Sequence, residues 1–239
     1  GNRLVGGIGA VGLSSKKILA RRNIQPGDVI LMTEGSGGGT ITTTAIYSGN
    51  HELVKETLNI KFLEASEIIL NSEYLNKIHS MADVTNGGLR GDLYEINYEA
   101  KCGVVIEEKK VRELVNPNVL NLLEKVGVDY LGVSLDALLI YCEKSIKDYI
   151  INDLAKKNIK CCQIGKVNDT EKVSMIYEDI EQQDILPRFR ESAYTKIKQK
   201  IGEKTPETVE NMESAVETAA KLAIKKRKKI INYIKNNIS

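Results

Sequence analysis

"HSMADVTNGGLRGDLYEI", residues 79–96, sets an aspartate, a threonine and two adjacent glycines at the mouth of a helix. One acidic or hydroxyl residue is enough to start a helix. Two glycines cost backbone entropy and belong where another group must come close to the main chain. The pattern predicts a short strand ending near Ala82, a ligand loop over residues 83–88, and a helix over residues 89–98. Within six residues a carboxylate, a hydroxyl and two unshielded backbone N–H groups converge. Asp83 is the candidate metal ligand and, with Thr85, the candidate catalytic pair; Asn86, Gly87 and Gly88 are the candidate ligand-binding backbone. The plain alternative is a capped helix with a tight entry.

Upstream, "NIQPGDVILMTEGSGGGT" (residues 23–40) reads as a turn at Pro26-Gly27, a strand over 28–33, and a glycine loop leading into a helix over 40–47. Gly35, Ser36, Gly37, Gly38, Gly39 and Thr40 form a candidate anion cradle, because successive glycine N–H groups can turn toward an anion and a helix start favours negative charge. The run lacks the Lys-Ser/Thr ending of a phosphate loop and the spacing of a dinucleotide fingerprint. Glu34 opposes an anion electrostatically unless it turns away or shares a cation with it.

Helical spacing recurs over 62–75, and "CGVVIEE" (102–108) reads as a strand. A helix over 116–127 has Pro117 near its start and Gly127 at its end. An apolar strand over 136–143 and a helix over 146–158 follow, then a closing strand pair, 160–167 and 172–179. Strands and helices mix without regular alternation. The expected fold is therefore α+β, a mixed β-sheet packed with helices, followed by a long C-terminal helical extension.

That extension starts where composition changes. Residues 188–239 hold 13 Lys/Arg against 6 Asp/Glu, a balance of +7, so the rest of this +2 chain carries −5. With Pro187 this sets a boundary, and the expected organisation is a remnant over 1–20, a domain over 21–186 and a basic helical extension over 187–239. From Thr205, with Pro206 behind it, one helix runs nearly to the end. Val209, Met212, Val216, Ala219, Ala223, Ile230 and Tyr233 follow a 3,4 rhythm broken only at Lys226. Such a narrow seam lies on the domain or on a partner. The run "KKRKK" (225–229) invites a nucleic-acid reading, but no interleaved aromatics support it, and a solvated helix face is favoured.

Ordinary apolar (42%) and charged (28%) fractions over 239 residues suit a globular protein with a real core. No apolar run approaches membrane-spanning length. Cys102, Cys142, Cys161 and Cys162 show neither CxxC nor zinc-ligand spacing, and the adjacent Cys161-Cys162 of a strand would face opposite ways. A reducing cytoplasm is the expected compartment. His79, beside the motif, and His51 are the candidate acid–base imidazoles.

Taken in order, "QPGDVILMTEGSGGG", "HSMADVTNGGLRGDLYEI", "CGVVIEE" and "LDALLIYCE" resemble the aminoimidazole ribonucleotide (AIR) synthetase superfamily over residues 5–180, nearest its hydrogenase expression/formation (HypE) branch and AIR synthase-related proteins. The Asp-x-Thr-x-Gly-Gly-Leu run at 83–89 is the strongest match. The resemblance implies an ATP-dependent enzyme that phosphorylates a carbonyl-type oxygen or another nucleophile. It also implies a homodimer and a two-half architecture of which this chain matches the C-terminal half. ATP and Mg2+ would be held mainly by acidic loops of an N-terminal half with no counterpart here, so the chain reads as a fragment that by itself binds ATP weakly or not at all. A non-catalytic binding module of the same fold is the second expectation. Asp136 stands near where relatives often carry glycine, and the ending "NYIKNNIS" lacks the C-terminal cysteine of the hydrogenase-maturation enzyme. The acceptor, a small molecule or a protein, is left open.

Overall fold

The segment "VILMT" is buried at every position, because a strand in the middle of a sheet covered on both faces has no polar side. Ile30 and Met32 enter one apolar cluster, Val29 and Leu31 the other. The same alternation runs through "LLIYC" (138–142). In the computed structural model, which describes residues 9, 11–14, 17–84, 87–178, 180–187 and 209–237, these two strands lie side by side.

The sheet has seven strands: β1 (Val29–Thr33), β2 (Ile78–Asp83), β3 (Gly103–Glu107), β4 (Leu138–Cys142), β5 (Cys161–Asn168), β6 (Val173–Tyr177) and β7 (Ile180–Asp184). Their order is β2-β4-β1-β5-β3-β6-β7, antiparallel throughout except for the parallel β3–β6 pair. This is the mixed α+β fold that the sequence predicts.

The helices are α1 (Gly39–Tyr47), α2 (Val54–Thr57), α3 (Lys61–Leu70), α4 (Gly88–Ala100), α5 (Glu108–Leu114), α6 (Pro117–Val126), α7 (Lys147–Ala155) and α8 (Val209–Asn237). Apolar residues of α1, α4, α5 and α6 fill the larger cluster, and those of α3 and α7 fill the smaller one on the opposite face. The Asn116 side chain caps α6 by accepting from Asn118 N (2.8 Å) and Val119 N (3.3 Å), and Gly127 closes it in the left-handed region, as its Pro and Gly punctuation foretold.

Three details differ from the sequence reading. The strands at 160–167 and 172–179 exist but do not pair with each other, since β3 lies between them. The "GVVI" of β3 is fully buried, so its backbone needs ladder partners on both edges. The helix read over 62–75 stops at Leu70, where Asn71 and Ser72 side chains turn back onto Glu67 O and Ile69 O. α5 and β7 carry too few apolar positions to announce themselves. Cys161 and Cys162 do face opposite clusters, and all four cysteines are free.

Candidate functional site

β4 lies between β1 and β2 and runs against both. The ends of β1 and β2 and the start of β4 must therefore meet at one edge of the sheet. This brings the glycine loop after β1 and the Asp83 loop after β2 onto the same four-residue turn, residues 134–137. Gly37 N donates to Leu135 O at 2.9 Å. Val84 N donates to Ala137 O at 2.9 Å, and Leu135 N donates to Val84 O at 3.2 Å. Ser134 Oγ lies 3.1 Å from Val84 O and 3.0 Å from Asp136 Oδ1. The Asn59 amide donates to Asp136 O at 3.2 Å, tying in a third segment.

Asp136 is the residue that sequence reasoning noticed but did not place. Its φ of 48° lies in the left-handed region, which glycine enters freely and aspartate tolerates better than most residues. That accounts for a glycine-like position occupied by a carboxylate. Both carboxylate oxygens lie 2.5 Å from where a Cβ on Gly38 would stand, so the glycine loop leaves room for this side chain. Burial pushes the Asp136 carboxyl above the usual carboxylate range; the Ser134 hydroxyl works against that shift, and the charge of Asp83 adds to it. Asp83 itself is exposed at the end of β2.

A raised carboxyl pKa means that the folded state holds the Asp136 proton more tightly than the unfolded chain, so this group's contribution to stability falls as pH rises through the carboxylate range. Asp136→Asn is therefore expected to raise the neutral-pH melting temperature by at most a few degrees. The gain should vanish in acid, where Asp136 is protonated in both states. An unchanged or lower neutral-pH melting temperature in thermal scans would show that the carboxylate is not strained there.

The glycines of the cradle are not equivalent. A Cβ on Gly35 would meet Leu135 O at 2.7 Å, and one on Gly37 would meet Ile41 Cδ1 at 2.4 Å, so these positions serve packing. Gly39, the first residue of α1, is exposed and a Cβ there would have nothing within 4 Å. No side chain caps this helix. Thr42 Oγ1 is engaged with Thr57 Oγ1 at 2.6 Å, and Thr40 is buried. Glu34, which would repel an anion, turns away: its Oε1 accepts from Lys61 Nζ (2.9 Å) and Lys160 N (2.8 Å).

The second glycine pair, expected to bind ligand through its backbone, splits into one packed and one exposed position. Gly87 and Gly88 both have positive φ, 96° and 60°, and lead into α4. A Cβ on Gly88 would lie 2.4 Å from Leu131 O and 2.5 Å from Val133 N, so what comes close to this glycine is the protein's own backbone. Gly87 is exposed, and a Cβ there would meet only Gly91 Cα, at 3.5 Å. Thr85 and Asn86 lie outside the described residues.

His79 stands at the other end of β2 from Asp83. Four steps of strand separate them, about 13 Å. The β2–β4 register slips between Ile78 and Ser80, which makes His79 the residue of a bulge. Its Nδ1 lies 2.9 and 2.8 Å from the two carboxylate oxygens of buried Asp28. His51 sits in a short 3-10 turn before α2 and is exposed.

Beside the glycine loop opens a polar cleft of about 380 Å³, lined among others by Gly35, Ser36, Glu56, Asn59, Lys61 and Asn116. The Asn118 and Asn116 amides hold the Glu56 carboxyl below its usual range. Asn59 and Lys61 were not legible as site residues, since nothing in their local sequence marks them. Among the described residues no group of three or more His, Cys, Asp or Glu is placed to hold a metal ion, and no helix is long and apolar enough to cross a membrane.

Comparison with known proteins bears on this edge of the sheet. The family model described as "AIR synthase related protein, C-terminal domain" matches residues 25–178. The uncharacterized protein MJ1416 of Methanocaldococcus jannaschii is 44% identical over 236 residues, 98% of this chain and 51% of that protein. A selenide, water dikinase of Myxococcus xanthus is 32% identical over 101 residues, 40% of this chain and 28% of its own length. Among solved structures, the HypE–HypF complex superposes with a TM-score of 0.57 at 20% identity, over 71% of this chain and 55% of that one. The hydrogenase maturation protein HypE in complex with ATP gives 0.55 at 19%, over 72% and 54%. The chain thus spans about half the length of these HypE chains and of the M. jannaschii protein, and less of the dikinase.

Proposed function

We propose, for a chain that belongs to the AIR synthase related family through its C-terminal domain, that it forms the acceptor-side half of an ATP-dependent enzyme which phosphorylates an oxygen nucleophile. The observation that carries this reading is the convergence of the two glycine loops on the 134–137 turn, where the Asp136 carboxylate stands against Gly38 within electrostatic reach of Asp83, and the exposed Gly39 backbone follows. In phosphoryl transfer the protein mainly positions groups and offsets charge. A bare anion suits the loop poorly, because Asp136 adds negative charge next to Gly38. A magnesium nucleotide suits it better. The carboxylates of Asp83 and Asp136 would face the cation, and the first N–H groups of α1 would face phosphate oxygens. When bound, the nucleotide supplies the phosphoryl group and the cation offsets its charge.

The residues of this chain do the remaining work. The 134–137 turn sets the spacing between the loops, and Ser134 orients Asp136. Lys61 and Lys160 N keep Glu34 from repelling phosphate. The cleft beside Ser36 would receive the acceptor, with Asn59 and Glu56 as its polar contacts. We take residues 21–186 as the domain that carries these functions. The HypE structure with ATP and the dikinase relative support a nucleotide-using enzyme.

The test uses a longer protein that joins this chain to a preceding nucleotide-binding half. It should hydrolyse or transfer from ATP only with magnesium, and the present chain alone should bind Mg-ATP weakly in calorimetry. Tight binding by the chain alone would put the nucleotide site entirely here, and absence of any turnover would favour a binding module.

Gly39→Ala separates the cradle from a plain helix start. The methyl group has open space, so the unfolding free energy should stay within about 0.5 kcal/mol of the parent. Binding of Mg-ATP by the longer protein should weaken by about tenfold, or 1.4 kcal/mol, because the methyl shields the amide that phosphate would approach. Unchanged affinity would remove Gly39 from the nucleotide site.

A further inference from the structure

α8 runs from Val209 to Asn237 as one helix of 29 residues. Nine consecutive residues, 221–229, are exposed. Nine residues are two and a half turns and sample every face of a helix, so this part of α8 does not lie against the domain. Among the exposed side chains are Leu222 (62%), Ile224 (54%) and Tyr233 (67%). The seam residues repeat with a strict seven-residue period, 209, 212, 216, 219, 223, 226, 230 and 233. A 3.5-residue period is the signature of helices that pair along their length.

Charge selects the partner. Between 209 and 220 the helix carries Glu210, Glu213 and Glu217 and no base; from 221 to 237 it carries seven Lys/Arg and no acid. Within four residues on either side of 225–229 the sequence offers no carboxylate, so this run has no intrahelical counter-charge and its like charges repel at i,i+4 spacing. Lys221 Nζ pairs with Glu217 Oε2 at 3.3 Å, at the join of the two halves. The helix is thus acidic in front and basic behind. Its own reverse is its electrostatic complement.

We infer that α8 is an assembly element that pairs antiparallel with α8 of a second copy of this chain. The acidic half of each helix lies along the basic half of the other, and Lys226, the charged seam residue, reaches the partner's carboxylates and sets the register. One register with the apolar seams in contact centres the pair between Ala219 and Ala223 and brings Arg227 level with the partner's Glu213 at flanking positions. A parallel pair would instead stack 225–229 against itself.

Sedimentation equilibrium of the full chain should give a dimer at tens of micromolar, weakening in molar salt as screening shortens the reach of the charges. Reversing residues 225–229 to glutamate leaves a helix acidic in both halves, with Lys221 and Lys235 its remaining bases. The antiparallel pair should then dissociate by at least a hundredfold, whereas a parallel pair would keep the same number of self-facing like charges. A second variant, E210K/E213K/E217K, should also be monomeric, and mixing the two variants should restore dimers. Intact domain signals in circular dichroism show that each variant folds. A monomeric parent, or a dimer that survives the charge reversal, overturns the proposal; the first would also be the result if another class of partner, such as nucleic acid, occupies the seam. The proposal does not depend on the catalytic reading.

Discussion

Gly88→Ala is expected to destabilise this protein by about 2–5 kcal/mol, the largest loss for any single methyl group at the candidate site. Two independent terms add. At φ 60° an alanine meets the steric penalty of the left-handed region, about 1–2 kcal/mol. Its Cβ would also lie 2.4–2.6 Å from backbone atoms of residues 131–133, which cannot rotate away as a side chain could, so overpacking costs a further 1–3 kcal/mol. The movement would pass to α4, because the 129–133 segment is tied to it through Arg90 Nη2 and Asp129 Oδ2 at 2.7 Å. Chemical denaturation should show a lower midpoint with an unchanged slope. Gly87→Ala is the control: it pays the left-handed penalty but meets no backbone closer than 3.5 Å. Equal losses for the two variants would mean that backbone conformation alone requires the pair.

Asp83→Asn should leave stability nearly untouched and remove activity. Asp83 is exposed, and asparagine has the same shape and serves equally well before a helix. What it removes is a charge at the meeting point of the two loops. In the longer enzyme, turnover should fall by about 10²–10⁴-fold if Asp83 acts on the nucleophile or its cation. A second readout does not need turnover. The Asp136 carboxyl, now held up in part by the charge of Asp83, should titrate at lower pH in the variant, as carbon-detected magnetic resonance can follow. Activity within a few-fold of the parent would reduce Asp83 to a helix entry residue. An unmoved Asp136 titration would show that the two carboxylates do not sense each other.

Much of the fold is legible without coordinates, because local rules decide it. Unbroken apolar runs at 29–32 and 138–142 are strands buried on two faces, and Pro117 and Gly127 bracket α6 because proline suits a first helical position and glycine enters the left-handed closing position without strain. Likewise, the adjacent Cys161 and Cys162 must face opposite sides of a strand, and they do. The two glycine loops, each following a strand, stand out for the same reason: glycine runs are costly unless space or conformation demands them.

Which atoms those loops present was decided by tertiary structure. No local pattern says that β4 inserts between β1 and β2, yet that insertion alone joins the loops at residues 134–137 and sends His79, on the same strand as Asp83, to the far end to meet Asp28. Nor does sequence tell which glycine is spent on packing. Gly88 makes room for the backbone at 131–133, Gly38 for the Asp136 carboxylate, and Gly39 for nothing among the described residues. A sequence records that a side chain is missing; only the packed structure shows what fills the space, because the filler comes from residues about forty to a hundred positions away.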